Sequence, residues 1–181
     1  MKAQIFGLLI IPSVLFGQKL IDRSAYAHFY SSTPLEDIEA VNKKAMGVVD
    51  LSSGQVAVAI KMVDFEFDRS LMQEHFNENY VESDKYPKAT FTGSIADFDS
   101  SKVMKLIDTV SFKVKGSMSI HGITNEVEAE VNFIANEQKL YASTKFILAL
   151  EDYDIDIPKV VILNIAEEVE VTARFAFDVP K

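Results

Sequence analysis

The chain has 181 residues, 48 % of them apolar and 25 % charged, and its 27 acidic against 18 basic side chains give a formal net charge of −9. This is globular composition for one domain, which excludes a disordered or collagen-like chain, and its acidic balance argues against nucleic-acid binding and electrostatic membrane docking. With no cysteine, disulfides, thiolate-held metal centres and thiol catalysis are excluded, and three histidines leave little material for a histidine metal site.

In chain order, Met1-Lys2 leads an apolar run from Ile5 to Phe16, which ends at Gly17-Gln18. The pattern predicts a cleavable export signal over residues 1–17 and a mature domain over 18–181, in the periplasm or outside the cell. The run is too short to span a bilayer, Pro12 interrupts it, and no cysteine follows it for lipid attachment, so no stable membrane anchor is expected. Lys19–Tyr30, a run around Ala45–Leu51 and Gln55–Phe67 read as strands, the last with weak alternation.

Arg69–Tyr80 breaks the strand pattern. Ser70 and Gln73 have capping-box spacing, and Met72, Phe76 and Tyr80 recur at helical spacing, so a short amphipathic capping helix is expected. Ser83–Pro87 returns the chain, with Pro87 just outside the next strand. There Ala89, Phe91, Gly93 and Ile95 alternate with Thr90, Thr92 and Ser94.

The clearest alternation runs from Val110 to Ile120, with Phe112, Val114 and Met118 on one face and Ser111, Lys113 and Lys115 on the other. His121–Asn125 is a turn, and Glu126–Phe133 alternates again, with Val127, Ala129, Val131 and Phe133 inward; the two runs form an antiparallel hairpin. If straight, Lys105–His121 would extend roughly 55 Å at about 3.3 Å per residue, so a bend is expected at Gly116. Leu140–Leu150 and Val169–Val179 complete seven or eight strands. No segment is long enough for helical crossovers, so the set reads as a meander. An all-β, eight-stranded antiparallel lipocalin-like barrel with a short capping helix follows, since closure removes exposed edges.

Two blocks carry a family resemblance. Leu71–Tyr80 followed by Ser83-Asp84-Lys85-Tyr86-Pro87-Lys88-Ala89-Thr90-Phe91 resembles the helix and Tyr-Pro-x-x-x-Phe block of the YceI-like family, and Gly116–Thr124 resembles its Gly-x-Leu-x-x-His-Gly-Val-Thr hairpin. Leu150–Ile155 stands where the family has Arg-x-Asp-Phe-Gly-Ile, and Ala27-His28-Phe29 where it has a first-strand Phe. Gln73-Glu74 replaces the usual Arg-Asp, and Glu151 and Asp154 replace the usual Arg and Gly. The resemblance implies periplasmic or secreted bacterial proteins of lipocalin-like fold. They bind polyisoprenoids, often quinone-like ones, in an elongated apolar cavity, and the family has no established catalytic residues. The isoprenoid would be a ligand and not a redox cofactor.

The candidate ligand contacts follow from the inward faces. They are Phe76 from the helix, Phe91, then Phe112, Val114, Met118, Val131 and Phe133 from the hairpin, and Phe146, Phe175 and Phe177 from the late strands. Small inward residues, Ala89, Gly93, Gly116, Ala129 and Ala173, favour space left inside. Asp152-x-Asp154-x-Asp156 fails as a calcium loop, because Ile157 and Leu163 stand where Gly and Glu are required. His121 lacks a carboxylate or imidazole partner by spacing, so a turn hydrogen bond is expected of it, and His28 reads as structural. The expected function is binding, sequestration or transport of an apolar lipid, without catalysis. The alternatives are a filled, ligand-free barrel acting as a stress-response or interaction module, and, weakest, a hydrolase or isomerase using His75 with Glu74 or Asp84. No nucleic-acid partner or metal is expected, and a homodimer is left open.

Overall fold

The computed structural model describes residues 19–104, 108–158 and 163–179. The predicted export signal lies outside them. Nine strands form one sheet: β1 (Lys19–Ser32), β2 (Asp37–Asp50), β3 (Gln55–Lys61), β4 (Glu66–Phe67), β5 (Lys88–Ile95), β6 (Val110–Ile120), β7 (Ile123–Ala135), β8 (Lys139–Ala149) and β9 (Glu168–Asp178). Neighbours pair in the order β1-β9-β8-β7-β6-β5-β3-β2-β4, all antiparallel, and β1 also pairs with β2, which closes the barrel. Eight strands make the wall. The ninth, β4, is the far end of the predicted 55–67 strand, which a 3-10 turn at Met62–Asp64 interrupts.

Alternation placed most strands to within a residue or two; besides the broken 55–67 strand there are two larger misses. β2 begins at Asp37, because polar Asn42-Lys43-Lys44 masked its first half. β7 begins at Ile123, because the hairpin turn is only His121-Gly122, with φ of 51° and 80° as a two-residue turn of this hand requires. The β6 ladders to β5 and β7 run through Gly116 without a register shift. β6 starts at Val110 and has 11 residues, shorter than the predicted run, whose residues 105–107 lie outside the described ones; the short helix α2 (Ser100–Val103) precedes it.

The capping helix is also built differently. α1 (Ser70–His75) runs into a π-helical turn, Phe76–Tyr80, in which the Val81 N–H donates to the Phe76 carbonyl. Arg69, and not Ser70, is the N-cap, and no side chain caps the helix. Gln73 turns instead to accept from the Phe67 N–H at 3.4 Å, so the capping box does not form.

An antiparallel meander sends successive loops to alternate ends. One end carries the β2–β3 turn, the β5–β6 and β7–β8 connections and the start of β1. It is filled by a packed core of Leu20, Val49, Val103, Phe133, Leu140 and Phe177 among others. The other end carries the β1–β2 loop, α1 with its π turn, the β6–β7 turn and the β8–β9 connection. Two buried polar groups, Asp22 and Asn42, fall where the β1–β2 ladder breaks. Between Asp22 and Ala27 the β1–β2 register shifts, and the Asp22 carboxylate accepts from the N–H groups of Ser24 (2.9 Å) and Ala176 (2.8 Å), in place of a strand carbonyl. Asn42 likewise donates to the Lys61 carbonyl and accepts from the Lys44 N–H.

Candidate functional site

The half of the barrel opposite the packed core holds a cavity of about 450 Å³. That lies within the range of small-molecule sites, about 300–1,000 Å³. Its floor is made by two phenylalanines that lie on glycines. Phe175 of β9 covers Gly47 of β2, where an added Cβ would stand 2.4 Å from the ring. Phe91 of β5 covers Gly93 and Gly116, where an added Cβ would stand 2.7 and 2.9 Å from its ring tip. Missing side chains thus do not leave open space at these glycines: rings fill it, and the cavity begins above them. From Phe175 to Val169, both in the lining, β9 runs about 20 Å at roughly 3.3 Å per residue.

Four rings form one wall. Phe29, Phe65, Phe67 and Phe76 pack with centroids 5.0 to 5.7 Å apart, in stacked, tilted and edge-on pairs. The wider π turn keeps Phe76 and Tyr80, four residues apart, both turned to the cavity, below Met72 of α1. Ile60, Met118, Ile120, Phe146, Leu148 and Val171 supply the rest of an almost wholly apolar lining. Such a surface can hold a hydrocarbon by burial alone, at about 0.8 kcal/mol per CH₂.

Polar groups gather at the mouth. Glu36, in the β1–β2 loop, accepts from the Arg69 guanidinium at the start of α1 and from Asn164 Nδ2 at 3.2 Å, ahead of β9. Arg69 holds the Glu36 carboxyl below its ordinary range, and Asn164 assists. Ser31 Oγ accepts from the Ala166 N–H at 3.0 Å, a second tie to the same segment. His75 borders the cavity and is exposed. Burial pushes the Tyr80 phenol above its ordinary value.

The ten candidate contacts divide. Phe76, Phe91, Met118, Phe146 and Phe175 line the cavity. Phe112, Val114, Val131, Phe133 and Phe177 point inward as alternation requires, but they belong to the packed closed end, as does Ala129. This corrects the expectation that Phe112 and Val114 share one space with Met118. Period 2 fixes which face a side chain takes, not how far along the barrel axis the space begins. Phe29, Phe65, Phe67, Met72 and Ile60 were missed, although the alternation of Val58 with Ile60 and the helical spacing of Met72 with Phe76 carried the signal.

The other motifs resolve structurally. His121 does not serve its own turn. Its Nδ1 donates to the Tyr153 carbonyl at 3.1 Å and its Nε2 faces the Glu82 carboxylate at 2.9 Å, a partner 39 residues away that spacing could not show. That contact holds the Glu82 carboxyl below its ordinary range and pins the segment after the π turn to the β6–β7 hairpin. His28 stacks on Tyr26 and meets Glu39 at 3.1 Å on the outer face. The ion pairs near the helix join Arg69 to Glu36 and Glu82 to His121 and Lys85, and none joins His75 to Glu74 or Asp84 among the described residues. Asp152, Asp154 and Asp156 are exposed around the buried Tyr153 and Ile155, and among the described residues no metal-binding cluster forms.

The YceI-like domain family model matches residues 23–177. By sequence alone, no curated protein matches the chain. Among solved structures, a polyisoprenoid binding domain from Saccharophagus degradans implicated in plant cell wall breakdown is similar, with a TM-score of 0.76 at 14 % identity over 90 % of this chain and 98 % of that one. BcnA from Burkholderia cenocepacia gives 0.69 at 16 % identity over 84 % and 95 %. The YceI protein of Campylobacter jejuni gives 0.58 at 12 % identity over 99 % and 92 %. At these identities the likeness shows a shared fold.

Proposed function

Since the chain belongs to the YceI-like family, we propose that it binds and carries a long apolar lipid of the isoprenoid type, with the tail held in the half-barrel cavity. One observation carries this reading: an apolar cavity of about 450 Å³ lies above a floor of phenylalanines that pack against the closed-end core. A similar fold named as a polyisoprenoid binding domain supports the ligand class. Binding is driven by burial of the tail, and the protein supplies no catalytic group. The ligand is cargo and not a redox cofactor. The lysine-led apolar run at the N-terminus supports export, so the carrier works in the periplasm or outside the cell.

Mass spectrometry of an organic extract of protein purified from a bacterial host tests the reading. One isoprenoid species near one-to-one stoichiometry is expected. A protein that yields no lipid and takes up no isoprenyl alcohol on titration would be a ligand-free barrel.

A further inference from the structure

Three leucines stand exposed where the fold gains nothing from them: Leu35 at 65 %, Leu71 at 59 % and Leu163 at 68 %. They are far apart in sequence, and the Glu36 contacts bring their segments together. Leu35 precedes Glu36, Leu71 lies two residues beyond Arg69, and Leu163 precedes Asn164; Glu36 bonds both Arg69 and Asn164. All three therefore stand on the rim of the cavity mouth. Their chain neighbours Glu36, Met72 and Asn164 line the cavity itself, so the three leucines stand beside its opening. Single exposed apolar residues are ordinary on a protein surface; three whose segments converge on one opening are not scattered.

We infer that this rim docks on a lipid bilayer, with the leucines entering the acyl boundary and the cavity opening onto it. The inference rests on the carrier reading: a long apolar ligand is nearly insoluble in water and has to leave and re-enter a membrane. Charge separates this from electrostatic docking. Among the described residues near the rim, Asp37, Asp68 and Glu74 are acidic, and Arg69 is already paired with Glu36. An anionic surface repels such a rim, so contact comes from apolar insertion and suits a zwitterionic bilayer. Docking places the closed end, where β1 begins, away from the membrane.

The absence of tryptophan from the chain makes a local test available. Leu71→Trp and Leu163→Trp each place a single reporter on the rim, and Ile147→Trp places one on the outer wall of β8, at a position 59 % exposed. All three variants carry the same N-terminal segment, so attachment through that segment cannot mimic insertion of the rim. With dibrominated phosphatidylcholine vesicles, emission from both rim reporters should fall by about twofold relative to unbrominated vesicles, and the wall reporter should not respond. Added salt should leave this unchanged, but should strengthen contact with vesicles containing phosphatidylglycerol by screening the repulsion. Uptake of N-phenyl-1-naphthylamine, measured without vesicles, reports separately on the cavity. Rim reporters that take up this fluorophore yet are quenched no more than the wall reporter overturn docking, including the case in which the rim serves a protein partner instead. Failure of all variants and the parent chain to take up the fluorophore overturns the carrier reading, and quenching still decides docking by itself.

Discussion

Gly93 of β5 and Gly116 of β6 stand directly opposite one another, and a Cβ on Gly116 would lie 2.5 Å from the Gly93 Cα and 2.2 Å from the Thr92 carbonyl oxygen. The two strands approach closely there, and the ring of Phe91 covers the gap. Because the clashing atoms are backbone, no rotamer change relieves them. Gly116→Ala is expected to destabilise the barrel by about 1–3 kcal/mol or more, read as a fall in melting temperature, with Gly93→Ala similar. Melting within a degree of the parent would show that the floor is looser than this contact.

Alanine-to-leucine changes separate the two halves of the interior. Ala129 packs in the closed end, so Ala129→Leu should overpack it and cost about 1–3 kcal/mol in the apo protein. Ala89 lines the cavity, so Ala89→Leu should displace lipid and leave apo melting nearly unchanged. Equal apo destabilisation by both variants would mean that the cavity closes when empty.

A carboxylate probes the same division. Phe112 is half-buried and packs against the closed-end core, and Phe112→Asp should lower the melting point, because no cation there pairs with the charge. Phe146 faces the cavity, and Phe146→Asp should abolish lipid recovery with a smaller loss of stability, since water can enter from the mouth. Lipid extraction beside calorimetry checks both.

Acid should loosen the β6–β7 hairpin. Hydrogen bonds from Lys113 and Lys115, each at 2.8 Å, hold the Glu128 carboxyl down at about 2, against 4.5 for the free group. A carboxyl whose folded value is depressed stabilises the fold fully above its unfolded value. That contribution is lost as pH falls from about 4.5 toward 2. Glu128→Gln should flatten the pH dependence of melting in that window, and high salt should do the same for this exposed pair. An unchanged slope in the variant would assign acid sensitivity to other carboxyls, such as Glu36 and Glu82.

Breaking the Glu36 contacts should change dynamics more than stability. Exposed ion pairs contribute about 0–1 kcal/mol, so Glu36→Gln should melt close to the parent. Hydrogen exchange over Ser70–Tyr80 should rise, and fluorophore entry and exit should both quicken, because the β1–β2 loop, α1 and the segment before β9 lose their common partner. Unchanged exchange would place the restraint elsewhere, in the Glu82–His121 contact for instance.

Alternation was enough to fix the strand class and the inward face, and it left seven or eight strands for a closed barrel. Val110–Ile120 and Val169–Val171–Ala173–Phe175 show this: a residue's face depends only on its parity along a strand, which is a local property. The helical spacing of Met72, Phe76 and Tyr80 likewise marked the cap. What the sequence could not hold was position along the barrel axis. Phe112 and Met118 share a face and a strand, yet one packs against the closed-end core and the other borders the cavity, because the boundary is drawn by Phe91 and Phe175 lying on glycines of neighbouring strands. The same limit hid Glu82 from His121 and Glu36 from Arg69 and Asn164. Those contacts depend on which loops a closed meander brings to one end, and closure is a property of the whole sheet.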